Sequence, residues 1–531
     1  MQSRARSAIW LAVLAGAVLL PLAAAMRGAL AGPDGGITLS NFTEVWGAAL
    51  TWKLFARGLV VSAGAAALAV VLGVPYAYLA ASTDLPGRGA WEVLGICGIV
   101  IPSYTVVMSW LNLSGDSTWV RTFLAEGMAL RGGAAGAMGY LGVIWILGVS
   151  YVPFVVLFSA AAFRLTDQEA VEAARADGAS GLQVFARIRL PAAMTGVALG
   201  AGAVFALALG DYEIPAALGL ETISWEVLTL WTNGRGAQAL AMAAGPTLLV
   251  VALYALYAVA CGRSMALALS AERGRVRPER LGGWSWPAVC FCGLFVAATL
   301  GVPLTGLLTG VGGPATFLRN VAAVTGHLGT TLVAACGAAV LAGVVGLAAG
   351  GMIARTSGLA RGAAVFLAAM PMAVPAAALG LGLHAVLNRP LLYEIAGSGA
   401  GALALGAAVR FLPFAVFAGV MAARSVPTDL EDAARVDGAG PVAVAMRICL
   451  PLTLPATIAG VLIVFALSVS ELQVTNILCP PGYQTLAVHL ADRLHTGEVE
   501  RVSSVAVVML CLAAASGGAG LAILRWKGYR S

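Results

Sequence analysis

The sequence predicts an all-α integral membrane protein with about twelve transmembrane helices in two parallel six-helix repeats. Three observations lead there. Of 531 residues, 60% are hydrophobic and only 11% are charged, a balance outside the range of soluble domains. Uncharged runs such as 59–81 and 331–354 hold the roughly 20 residues with which a helix crosses about 30 Å of hydrocarbon. Finally, the passage EAARADGASGLQVFARIRLP at 172–191 returns as DAARVDGAGPVAVAMRICLP at 432–451, with 11 of 20 positions identical.

Taken in order, the spans are expected to start near residues 8, 58, 92, 138, 195, 238, 285, 329, 363, 402, 456 and 502. The stretch MQSRARSAIWLAVLAGAVLLPLAAAMRG has the basic leader and apolar run of a signal peptide. It reads instead as an uncleaved first span, because its removal would leave an odd number and spoil the two-fold pattern. The 66 glycines, with abundant alanine, suit close helix packing in lipid, where small residues let backbones approach. With the amino terminus inside, 20 of the 31 basic residues fall on inner segments, among them Arg88, Arg164, Arg175, Arg187, Arg189, Arg273, Arg275, Arg277, Arg355, Arg424, Arg435, Arg447, Lys527 and Arg530. Both termini and both charged passages are therefore expected in the cytoplasm of a multi-pass inner-membrane protein. The net charge of +6 follows from the same asymmetry and gives no reason to expect nucleic acid as a partner.

The duplication extends beyond the passage. At the same offset of 260, Pro153, Phe154 and Arg164 lie on Pro413, Phe414 and Arg424, and Gly200 and Phe205 on Gly460 and Phe465. Each half carries six spans with its passage between the fourth and fifth, so the repeat is parallel and an inverted one is excluded. The expected organisation is a first repeat over 1–261, a cytoplasmic linker over 262–284 and a second repeat over 285–531, with passage loops at 164–194 and 424–454.

A central Arg or Asp costs a spanning helix roughly 2.5 to 3.5 kcal/mol. Glu172, Arg175, Asp177, Arg187 and Arg189 therefore belong in water or against another protein. DQEAVEAARAD favours helix, Gly178 and its counterpart Gly438 suit a left-handed stop, and Pro191 separates a second short helix from the next span. A hairpin that merely ties two spans together accounts for one such loop. Two matched loops point to a docking surface for a two-fold partner.

The pattern Glu-Ala-Ala, three residues, Gly, nine residues, Ile, one residue, Leu-Pro resembles the EAA motif of permease subunits of bacterial ATP-binding-cassette importers. Here it reads Glu172, Ala173, Ala174, Gly178, Ile188, Leu190, Pro191, and then Asp432, Ala433, Ala434, Gly438, Ile448, Leu450, Pro451; Asp432 departs from Glu but keeps the charge. A chain with two copies resembles the fused permeases of the ferric-iron and thiamine type. The resemblance implies a type I importer permease fold, two copies of a cytoplasmic ATPase subunit as partners, and a periplasmic solute-binding protein. It also implies ATPase coupling through Glu172, Ala173, Ala174, Asp177 and Gly178, and through Asp432, Ala433, Ala434, Asp437 and Gly438.

No phosphate-binding loop is present, since the only lysines are Lys53 and Lys527 and neither stands in a Gly-Lys-Ser/Thr context. The chain is thus not itself an enzyme and binds no cofactor of its own; ATP enters through the partner ATPase. No Cys/His ligand spacing marks a metal site, and the eight cysteines suit small-residue packing. His489 and His495 fall in an expected outer loop, whereas Arg410 and His384 lie in or near spans, where ionisable groups face the bundle interior or snorkel from a helix end.

After the fifth span of each half, Asp211 stands opposite Glu471 and Glu213 opposite Gln473. Either these are ordinary solvated outer-loop residues, or they form an acidic part of the substrate pathway for a cation. Carboxylates suit hard cations, and ferric iron is the first expectation for the solute. Thiamine, polyamines and phosphonates stay open. A twelve-span secondary transporter would also show parallel halves but has no use for a repeated docking loop.

Overall fold

The computed structural model describes residues 2–32, 35–114, 134–270, 278–397, 399–494 and 498–526. Arg273, Arg275, Arg277, His495, Lys527 and Arg530 lie outside the described residues. Among the described residues the chain is helical, with extended pairing confined to the isolated bridges Ala31–Ile37 and Thr83–Glu279. Among the described residues, ten helices are long and apolar enough to cross a membrane, and two sharply bent helix pairs bring the number up to twelve.

The bent pairs stand where hydropathy places the third and ninth spans. Arg88–Val100 and Ser103–Leu113 meet at 99°, Ala360–Ala373 and Ala376–Leu387 at 103°. Proline lacks an N–H and drives the residue before it to extended backbone. Ahead of Pro102 and Pro375, Ile101 (φ −81°, ψ 121°) and Val374 (φ −75°, ψ 131°) are extended.

The chain forms two compact units. One comprises Met1–Val45, Leu230–Thr247 and Val311–Ser531. Within it, the helix Gln2–Ala29 packs on Gly358–Ala373 and Ala376–Leu387, and Leu14 is fully buried among Ala349, Ile353, Leu412 and Val416. The helices Thr325–Arg355 and Ala400–Arg424 touch through bare backbone: a Cβ on Gly419 would lie 2.2 Å from the Gly346 carbonyl oxygen. Such approaches are what the small-residue composition makes possible.

The other unit comprises Trp46–Thr229 and Leu248–Gly310. Here Ala49–Ser82 packs on Ala134–Phe163, and Ser285–Val296 lies against Ala49–Ser82 and Arg88–Cys97. Tyr76 stacks on Phe295 at 4.1 Å and donates its hydroxyl to the Trp91 carbonyl at 2.5 Å. The compact units and the sequence repeats thus divide the chain along different lines, since the opening span of each repeat belongs to the unit built mainly from the other.

Candidate functional site

In the first passage the Asp167 carboxylate accepts the Glu169 N–H at 2.9 Å and caps the helix Gln168–Ala176. That helix closes at Gly178, whose φ is 85°; the Ala179 N–H reaches back to the Ala174 carbonyl at 2.9 Å. Ser180 and Gln183 then cap reciprocally, the Ser180 N–H donating to Gln183 Oε1 at 2.8 Å, and start the short helix Gly181–Val184. A wide turn over Phe185–Arg189 leads into the span Leu190–Gly210, with Pro191 in the first turn where its missing N–H costs nothing.

The second passage repeats this path. Thr428–Val436 ends at Gly438 with φ 82°, and the Ala439 N–H donates to the Ala434 carbonyl at 2.9 Å. Pro441–Val444 and a wide turn over Ala445–Cys449 lead into Leu450–Val469. In the first passage Glu172, Ala173, Asp177 and Gly178 are exposed and Ala174 is half-buried; Asp432, Ala433, Asp437, Gly438 and Ala434 follow the same order. Large apolar side chains share these surfaces: Leu182 is 75% exposed, Val436 86% and Val442 75%.

Each loop is anchored by a nearly buried carboxylate, supplied differently in the two halves. Arg189 is fully buried, with Nε 2.5 Å from Oε1 of Glu279 in the linker; Arg175 Nη2 meets Oε2 at 3.1 Å. The Tyr78 hydroxyl donates to the same Oε2 at 3.0 Å. In the second half Glu431, on the passage helix itself, receives Arg435 Nη2 at 2.8 Å and also pairs with Arg355. Asp432 pairs with Arg435 Nη1 at 2.5 Å.

The family model for the binding-protein-dependent transport system inner membrane component matches residues 69–268 and 342–524, once in each repeat. The chain belongs to this family. Relatives include a probable ABC transporter permease protein of Sinorhizobium fredii, 29% identical over 167 residues, covering 29% of this chain and 50% of that protein. The diacetylchitobiose uptake system permease protein of Streptomyces coelicolor is 25% identical over 189 residues, covering 36% and 57%. The spermidine/putrescine transport system permease protein of Haemophilus influenzae is 31% identical over 84 residues, covering 16% and 33%. The chain thus spans about half the length of the first two relatives. It is an ABC-transporter permease of the binding-protein-dependent import family, a multi-pass inner-membrane protein whose relatives are transport subunits.

In this permease the acidic positions after the fifth spans are buried rather than solvated. Asp211 is 1% exposed; its Oδ1 accepts the N–H of Glu213 at 2.8 Å and of Ile214 at 3.2 Å, and its Oδ2 accepts the Tyr151 hydroxyl at 2.7 Å. Ser103 donates to Glu213 Oε2 at 3.1 Å. Glu471 takes the N–H groups of Val474 and Thr475 at 2.9 and 2.8 Å. Both acids therefore cap short helices, Glu213–Ala217 and Gln473–Leu478. Arg410 faces the interior, its Nε 4.0 Å from Glu471 Oε1 and Nη2 3.4 Å from Gln473 Oε1. His384 meets Trp231 edge-on at 4.9 Å. His489, placed by sequence in an outer loop, sits on the helix Leu486–Leu494 and stacks on His327 at 4.4 Å.

Glu279 and Glu431 escape a motif search because neither belongs to the motif. For Glu431 the repeat offset carries the signal: the second half has an acid where the first has Val171, and Cys449 where the first has the base Arg189.

Proposed function

We propose that this permease forms the membrane pathway of an ATP-driven importer and that its two passages each grip one copy of a cytoplasmic ATPase subunit. The observation that carries this reading is the pair of matched helix–turn–helix loops with Leu182, Val436 and Val442 held in the open. Apolar side chains of that size on a charged loop are what a partner surface covers. On this reading Glu172, Ala173, Ala174, Asp177 and Gly178, with Asp432, Ala433, Ala434, Asp437 and Gly438, shape the two contacts. Both termini lie in the cytoplasm, ATP is bound only by the partner, and a periplasmic binding protein delivers the solute.

Gly178 and Gly438 supply the test. A Cβ at either meets nothing within 4 Å, yet the left-handed backbone strains any other residue by about 1 kcal/mol or more. Gly178→Arg and Gly438→Arg should each leave the permease inserted while ATPase co-purification falls and ATP-driven uptake is lost. If both variants hold the ATPase and transport at the parental rate, the coupling reading fails.

For the solute we infer a cation, ferric iron first, from the resemblance of the two intact passages to the fused permeases of the iron type. Asp211 and Glu471 spend oxygens on caps, so with Glu213 and Gln473 their part is to fix the short helices rather than to hold the solute. Thiamine, polyamines and phosphonates are the alternatives. Identifying the ligand of the cognate binding protein decides among them, and a ligand carrying no positive charge overturns the inference.

A further inference from the structure

We propose that Glu279 is a positioning residue for transport: the linker that joins the two repeats also holds the first coupling loop, whereas the second loop carries its own carboxylate. This rests on the coupling reading above.

The geometry is specific to the first loop. Glu279 is tied to the end of the span Ala49–Ser82 by backbone, its N–H donating to the Ser82 carbonyl at 2.9 Å and its carbonyl accepting the Asp84 N–H at 2.9 Å. Asp84 in turn accepts the Leu281 N–H at 2.8 Å. So fixed, the Glu279 carboxylate meets Arg175 at the end of the first passage helix and Arg189 at the start of the next span, one oxygen each. The two guanidinium groups bracket the left-handed turn at Gly178, and a single carboxylate therefore sets the angle between the two arms of the hairpin. Arg189 has no exposed surface, and its Nη1 and Nη2 find no hydrogen-bond partner among the described residues. Loss of the Glu279 charge strands a buried cation, which must move toward water and take the hairpin arm with it.

The second loop lacks this dependence. Glu431 lies one turn before Arg435 on the same helix and reaches Arg355 at the end of the span Thr325–Arg355, and Cys449 occupies the place of Arg189, its thiol donating to Glu431 Oε1 at 3.6 Å. The carboxylate at 431 corresponds to Val171 in the first half. Moving the acid from the linker to position 171 should therefore rebuild the second-half arrangement around Arg175 and Arg189.

The full-length permease with its ATPase subunits, in lipid nanodiscs, gives the test through two readouts. Hydrogen exchange of peptides covering 172–191 should accelerate at least fivefold in Glu279→Gln, with those covering 432–451 unchanged, and ATP hydrolysis by the complex should fall about fivefold. Val171→Glu added to Glu279→Gln should restore both. Parental exchange and hydrolysis in an inserted Glu279→Gln overturn the proposal. Should Glu279→Gln fail to insert, the double variant decides: insertion with parental hydrolysis supports the proposal, and insertion with depressed hydrolysis overturns it. If Gly178→Arg weakens the ATPase while Glu279→Gln behaves as parental, only the role of Glu279 falls; if neither has an effect, the coupling reading falls with it.

Discussion

Asp211 and Glu471 occupy one place in the two repeats and use their oxygens alike, each closing the open N–H groups of a short helix inside the protein. An N-cap of this kind is worth about 1 kcal/mol, and more where its loss leaves buried N–H groups unpaired. Asp211→Ala and Glu471→Ala should each lower the thermal unfolding midpoint in detergent, while Asp211→Asn, which keeps a capping oxygen, should recover most of the loss. Equal midpoints for alanine and asparagine would remove the capping role. The residues themselves were legible from the 260-residue offset, but their burial was not. Hydropathy scores a carboxylate after a span as loop, because it has no access to the N–H groups that a fold turns toward it. The left-handed glycines are the opposite case: a helix-forming run followed by Gly178 or Gly438 fixes the local geometry without help from tertiary contacts.

Among the elements, the helix pair Thr325–Arg355 and Ala400–Arg424 shows why glycine is abundant here and where it is dispensable. Gly419 has the Gly346 carbonyl oxygen 2.2 Å from any added Cβ, whereas a Cβ on Gly351 of the facing helix meets nothing within 4 Å. Gly419→Val should force the helices apart and cost roughly 1 to 3 kcal/mol or more. Gly351→Ala should be neutral or gain up to about 1 kcal/mol through helix propensity. Folded yield and unfolding midpoint of the two variants check this, and equal behaviour would contradict the close contact. Composition announced tight packing but could not say which glycines do it, since each sits in an uncharged, small-residue run of the same kind. The bent third and ninth spans were half legible in the same way. Pro102 and Pro375 mark the breaks, yet only the structure gives the direction in which each second arm leaves.

Across the whole molecule, the duplication and the number of spans followed from hydropathy and one repeated passage, because both are properties of local sequence. Which bundle a span joins is not such a property. All twelve runs are similarly apolar, so nothing in the sequence of Gln2–Ala29 says that it packs on Gly358–Ala373 and Ala376–Leu387. The linker shows the same limit: its arginines signal the inner face, while the carboxylate of Glu279 gains meaning only when placed against Arg175 and Arg189.

The placement of the first span sets a timetable for synthesis. The surface that buries Leu14 begins at Ala349, roughly 320 residues after Ala29, and at about 5 to 20 residues per second that separation lasts on the order of 15 to 65 s. Throughout that interval the helix must persist in the bilayer or its insertion machinery without the surface that buries Leu14. Its own hydropathy keeps it there, so the apolar run that makes it resemble a signal peptide is also what lets it wait.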